Sequence, residues 1–277
     1  MMRSLWTAAS GMRAQQVNVD TIANNVANIN TIGYKSQQAS FKSLLYQNLQ
    51  STSTNNAGEN KPVAAEVGLG SRVAAITSTF TQGNLTHVEN PFSVALEGDG
   101  FFQIRTESGE LQYTRDGSFE ISPVANGNML CTSDGNPVLD AYGNQIILPS
   151  NRVATDLVVN QDGTLAFPDG TGNPAVITDA NGRPVKFGIY QFNNPAGLSK
   201  EGSNNYSVTV ASGAAVAENG NAAVKQTKTH QYYTEASNVD VANEMVNLIV
   251  AQRAYEMNSK AIQASDEMLQ QANSLRR

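Results

Sequence analysis

The two ends of this chain carry apolar residues at seven-residue intervals, and the residues that break helices are confined to the stretch between them. Leu5, Met12, Val19 and Val26 recur every seven residues near the amino end, with Ala8, Gln15, Ile22 and Ile29 three positions further on. This spacing draws one narrow stripe along a helix and predicts a coiled-coil seam. At the carboxyl end Ala254, Ala261 and Met268 run beside Leu248, Tyr255, Ile262 and Leu269 at the same period, in a stretch, 237–277, without Gly or Pro. All 9 prolines lie between Pro62 and Pro195, and of 22 glycines only Gly11 precedes Gly33 while none follows Gly220. Long helices are therefore open to the two ends and closed to the middle. The carboxyl-terminal one is expected to run for about 38 residues, or about 57 Å.

In the middle, turn-forming dipeptides recur: Asp99-Gly100, Ser108-Gly109, Asp116-Gly117, Asn126-Gly127, Asp134-Gly135 and Gly143-Asn144. Their spacing of roughly 8 to 12 residues is that of short antiparallel strands joined by hairpins. Strands are predicted at 101–105, 111–114, 118–121, 145–148, 156–159, 185–192 and 206–210. The expected fold class is α+β, with long amino- and carboxyl-terminal helices forming a coiled coil and a mainly antiparallel β-domain inserted between them. The domain limits are 1–33 with 234–277 for the helical domain, 34–80 for an extended linker and β-hairpin region, and 81–233 for a β-rich outer domain. Residues 50–61, rich in Ser, Thr and Asn, read as an exposed connector. Ser237 followed by Asp240 offers a start for the last helix, and Glu256 and Lys260 are spaced for an ion pair one turn apart.

Composition excludes several functions. A net charge of -6 with no run of basic residues argues against nucleic acid as a partner. No apolar run approaches the roughly 20 residues that a membrane helix requires, so no membrane insertion is expected. The residues after Met1 lack the apolar core of a cleavable secretory signal. Cys131 is the one cysteine, and His87 and His230, the two histidines, lack metal-ligand spacing and read as ordinary loop residues. Asp99, Asp116, Asp134 and Asp162 each precede Gly as turn formers do. No catalytic residue, metal site or cofactor is expected. A ligand-binding module or enzyme would gather aromatic and charged groups in a cleft, whereas the single tryptophan, Trp6, sits in the amino-terminal helix. A wall around a single core is the plainer account of an amphipathic helix, but here the seam is narrow and diluted by Gln15, Gln252 and Ser259. These helices also exceed the roughly 10 to 14 residues common in globular proteins, so packing against further copies of the chain is expected. On the same grounds a lone molecule should keep a folded core over about 63–225 while its end helices fray.

The segment from Ser4 to Met12, followed by 21–35, resembles the amino-terminal signature of the bacterial flagellar rod and hook proteins, with Ala23, Asn24, Asn25, Asn28, Thr31, Gly33 and Tyr34 among the matching residues. The tail is similar to the same family's carboxyl-terminal motif through Ser237, Asn238, Val239, Gln252, Arg253 and Tyr255. Between them, Gln82-Gly83-Asn84-Leu85, 98–102 and 113–119 are similar to the family's β-domain. Length, the 44–47 segment and the linker ending in Val67-Gly68-Leu69-Gly70 look most like the distal rod branch, while a proximal rod or hook paralogue would share most of these motifs. The resemblance implies a structural subunit that is no enzyme. It implies export across the inner membrane by the flagellar export machinery without a cleaved signal, and localisation in the flagellar basal body. There the chain would assemble helically into a tube of like subunits, joined to other rod and hook proteins, as a drive shaft passing motor torque to the hook. On this reading Leu5, Met12, Val19, Ile22, Val26, Ile29, Leu248, Tyr255, Ile262 and Leu269 are the subunit-packing residues. Asn24, Asn25, Asn28 and Asn30 are expected to bond backbone groups where the first helix ends and the chain turns at Gly33.

Overall fold

A computed structural model describes residues 2–50, 53–54, 60–61, 65–124, 127–150, 152–168, 174–179, 182–221 and 224–275. Most of the 50–61 connector, and Asn126 of one expected turn, lie outside the described residues. The fold is α+β, with one helix at each end of the chain and antiparallel strands between. It divides into two compact units, Met1–Ala27 with Gln37–Ser78 and Asp240–Arg277, and Asn28–Ser36 with Thr79–Val239.

The first unit holds both helices, α1 (Met2–Ala27) and α2 (Val241–Ser274). The cap of α2 is Asp240 and not Ser237: its Oδ1 accepts hydrogen bonds from the backbone N–H of Ala242 at 3.0 Å and of Asn243 at 3.4 Å. Asp240 wins because its backbone is extended while its carboxylate reaches the N–H groups that the first turn leaves unpaired. Ser237 closes a smaller turn, its Oγ accepting from Val239 N at 3.4 Å. At the other helix, α1 stops at Ala27, so Ile29 lies past its end. There Thr31 N bonds Asn28 O and Thr31 Oγ1 bonds Asn28 Oδ1, a local alternative to another helical turn. Glu256 pairs backward with Arg253, at 2.9 Å, instead of with Lys260. The unit is completed by a two-stranded ribbon. Gln37–Ser43 pairs with Ser71–Ser78 through a bulge at Ser40/Phe41, and Tyr46–Gln50 continues against Ala65–Gly68.

The second unit is built around a six-stranded antiparallel sheet, in the order Ser199–Gly202, Asn205–Ser207, Leu111–Thr114, Phe101–Arg105, Ile189–Gln191 and Val216–Ala217. Successive side chains of a strand face opposite ways, so Phe101 and Phe102 anchor two different cores. Phe102 and Ile104 pack with Phe119, Leu130, Leu148 and Phe187, whereas Phe101 packs with Tyr113, Phe192, Leu198 and Tyr206. Two three-stranded sheets, Glu120–Val124 with Gly127–Cys131 and Ile147–Leu148, and Val158–Val159 with Leu165–Pro168 and Pro174–Val176, enlarge the first core. The expected strands at 101–105 and 111–114 form over those residues, while 118–121 shifts to Glu120–Val124 and 185–192 shortens to Ile189–Gln191. A hairpin without a Gly at its tip turns at Ser203 and Asn204, both with positive φ, which Asn tolerates better than most residues. The two histidines are on strands and not in loops: His87 ends Leu85–His87, and His230 on Lys228–Gln231 bonds Glu97 at 2.7 Å.

Candidate functional site

The sequence leads to an expectation of packing, so the candidate site is the set of faces the helices offer and the contacts that hold them. Within the first unit α1 and α2 run antiparallel. Ser4 Oγ lies 3.2 Å from Ser265 Oγ, a Cβ on Gly11 would stand 2.9 Å from Asn258 Nδ2, and Asn25 Nδ2 donates to Glu244 Oε1 at 3.0 Å. From Ser4 these layers climb α1 by seven and then fourteen residues, and descend α2 from Ser265 by the same steps. Ala8, Ala14 and Ala251 are buried between these layers, together with the larger Thr21 and Ile22. Asn25 is 1% exposed and is held on three sides, its Oδ1 accepting from Gln37 N and its Nδ2 donating to Gln37 O and to Glu244.

Of the residues assigned to the seam, Ile22 is buried, and Leu5, Met12, Val19, Val26, Leu248, Ile262 and Leu269 are half-buried. Tyr255 is exposed, and half-buried Ile29 belongs to the second unit. Val19 and Tyr255 line a groove of about 400 Å³ with Gln16, Gln252 and Glu256. A different face of α2 is open: Val246, Val250 and Met257 are 59%, 62% and 66% exposed, flanked by exposed Met245 and Ile249. These positions fall on one stripe by the four- and seven-residue spacing of a helix. The ribbon also shows apolar side chains to solvent, Leu45 at 83% exposure with Tyr46 and Leu49. The seven-residue periodicity singled out neither surface, nor the Glu244, Ala251, Asn258 and Ser265 row that meets α1, because that row is polar or small; the open stripe is legible only as the remaining apolar residues of α2.

Within the second unit, residues from three of the resembling motifs meet in one buried cluster. Lys35 Nζ lies 2.6 Å from Glu235 Oε1 and Arg115 Nη1 lies 3.4 Å from Glu235 Oε2, all three side chains shielded from solvent. Lys35 also donates to Thr81 O, and Gly83 N donates to Glu235 Oε1. Arg115 stacks 4.9 Å over the Phe101 ring. Burial pushes the Lys35 ammonium below its ordinary pKa, against the pull of Glu235. Beside the cluster, burial raises the Tyr206 phenol to about 12, helped by Tyr34. Around it, Gly33 N donates to Glu235 O at 2.8 Å, and Asn238 Oδ1 accepts from Ser36 N while its Nδ2 donates to Thr79 O and Thr81 O. Gly33 has φ +70, and a Cβ there would stand 2.9 Å from Asp116 N, so a residue with a side chain is excluded twice over. Thr31 and Asn28 are bonded to each other, Tyr34 is buried, Ser237 and Val239 are half-buried, and Ala23, Asn24, Gln252 and Arg253 are exposed. Lys35, Arg115 and Glu235 were not among the expected site residues. They stood inside recognisable motifs, but nothing in a sequence pairs residues 200 positions apart.

The comparisons bear on the same segments. Residues 5–35 match the family described as flagella basal body rod protein, 95–167 the flagellar hook protein FlgE/F/G D1 domain, and 230–275 the flagellar basal body rod FlgEFG protein C-terminal region. The chain is 43% identical to the flagellar basal-body rod protein FlgG of Borreliella burgdorferi, with 100% of both chains covered. The chain belongs to the flagellar basal-body rod protein family. It is also 41% identical to the protein of that name in Agrobacterium fabrum, over 96% of this chain and 97% of the relative, and 34% identical to the flagellar hook-basal body complex protein FlhP of Bacillus subtilis over the full length of both. The rod family's amino- and carboxyl-terminal matches cover the pieces that supply Lys35, Glu235 and the paired faces of α1 and α2.

Proposed function

We propose that this chain is a structural subunit of the distal rod of the bacterial flagellar basal body, where it assembles helically with copies of itself and with neighbouring rod and hook proteins to carry torque. The observation that carries this reading is the open apolar stripe of α2. A helix already paired along one face would leave Val246, Ile249, Val250 and Met257 in water unless another helix covered them. In the assembled rod α1 and α2 form a coiled coil whose layers of Ser, Gly and Asn fix register at a cost in stability, and the open stripe and the half-buried seam residues from Leu5 to Val26 and from Leu248 to Leu269 meet neighbouring subunits. The contact is heterologous, so one screw operation repeated builds a tube. The role is mechanical and calls for no catalytic residue, metal or cofactor, and the chain reaches its place through the flagellar export machinery without a cleaved signal. Full-length similarity to FlhP favours, as the second reading, a paralogous position in the same axial structure.

Assembly of the purified chain at rising concentration, followed by sedimentation and negative-stain microscopy, tests this. Tubes or filaments are expected from the native chain. Val250→Lys is expected to abolish them while leaving the thermal transition within about 0.5 kcal/mol of the original, since the position is already exposed. Unimpaired assembly of that variant would remove the stripe from the subunit contact.

A further inference from the structure

In the second unit two buried cations share one carboxylate, and that carboxylate is the last of the three to be made. Glu235 follows Lys35 by 200 positions and Arg115 by 120. It is the one carboxylate ion-paired with either cation among the described residues, and Asp99 acts on Lys35 only weakly through space. Almost everything else in the unit precedes it: the 28–36 segment, the six-stranded sheet and both apolar cores. A chain that ends short of Glu235 therefore holds all the apolar residues needed to close, together with two cations that closing would strip of water and leave unpaired. Such burial costs more than a shared contact returns.

We propose that Glu235 is a folding latch. The second unit closes only when this carboxylate arrives between Lys35 and Arg115, so an incomplete chain keeps its β-rich part open. Seating the latch also joins the two ends of the unit. As Tyr233–Glu235 pairs with Leu85–His87, Glu235 O takes the N–H of Gly33, and Asn238 takes that of Ser36. The 33–36 and 235–238 segments are thus fixed to each other by the event that gives both cations their carboxylate partner. The latch does not depend on what the assembled subunit does.

Full-length variants separate a latch from an ordinary packing residue. Glu235→Gln keeps the shape and the acceptor for Gly83 N but leaves both cations uncompensated. It is expected to shift the folding equilibrium of the second unit by about 100-fold or more, read by urea denaturation with tyrosine fluorescence. The triple variant K35M/R115M/E235Q removes the stranded charge and is expected to recover most of that loss. A Glu235→Gln protein as stable as the native one, or a triple variant no better than Glu235→Gln alone, overturns the proposal. Timing is read on ribosome-bound chains, the state in which an incomplete chain exists. Protease resistance of the second unit is expected only in lengths that expose Glu235, and full resistance in chains ending before it also overturns the latch.

Discussion

At the scale of single residues, buried polar groups carry the specificity and apolar ones the bulk. Asn25 makes three hydrogen bonds inside the first unit, two to the backbone of Gln37 and one to Glu244, which is why an amide serves at this buried helix position. Tyr206 illustrates the opposite case, a phenol held neutral by its surroundings, with Phe80 and Phe101 rings at 5.5 and 6.0 Å. Its folded pKa of about 12 lies above the ordinary value of 10.0, so the folded unit retains a proton that the unfolded chain loses. The stability tied to that proton is fully present below pH 10 and is lost as the pH rises through the folded value, by about 3 kcal/mol for a shift of this size. Tyr206→Phe is expected to lose less stability than the native chain between pH 9.5 and about 12, measured by urea midpoints at each pH. Parallel pH dependences of the two proteins would show that Tyr206 does not ionise on unfolding.

At the scale of elements, helix ends are decided by which side chain reaches the free backbone groups. Asp240 contributes the cap and Glu244 follows in the first turn, both favourable beside the positive end of the helix dipole. Replacing Asp240 by Ala should cost about 1 kcal/mol and be read as fraying of the first turn of α2 by amide exchange at Ala242 and Asn243. Replacing Ser237 should leave those amides unchanged, because its hydroxyl serves Val239 N instead. The ribbon is a less self-sufficient element. Two strands alone are marginal in water, and this pair exposes Phe41, Leu45, Tyr46 and Leu49, so it depends on whatever it lies against.

At the scale of the whole molecule, the boundaries of the folded units do not follow the sequence's composition. A core ending near Lys225 was expected, yet the strands Lys228–Gln231 and Tyr233–Glu235 complete ladders with Val94–Glu97 and Leu85–His87. Stopping at Lys225 would remove both, and with them the carboxylate of the buried cluster. Limited proteolysis of the dilute chain is therefore expected to give a resistant product whose carboxyl end lies beyond Glu235 and which retains the 28–36 peptide, identified by mass spectrometry. A stable product ending near Lys225 would show that the last two ladders are dispensable.

What the sequence determined by itself was everything that follows from local spacing. The periodicity and the absence of Gly and Pro place helices at both ends, the Gly-containing dipeptides punctuate the strands, and the motifs identify the family. Ile22 is buried and the other residues expected in the seam from Leu5 to Val26 are half-buried along one helical stripe, a burial that leaves their partner undecided. Only the tertiary structure decided that the Glu244, Asn258 and Ser265 row of α2 meets α1, that Asn25 bridges Glu244 and Gln37, and that Lys35 and Arg115 meet on Glu235. Those outcomes rest on contacts between residues far apart along the chain. Side-chain spacing fixes a face, but burial and charge choose its partner only once the chain has closed on itself.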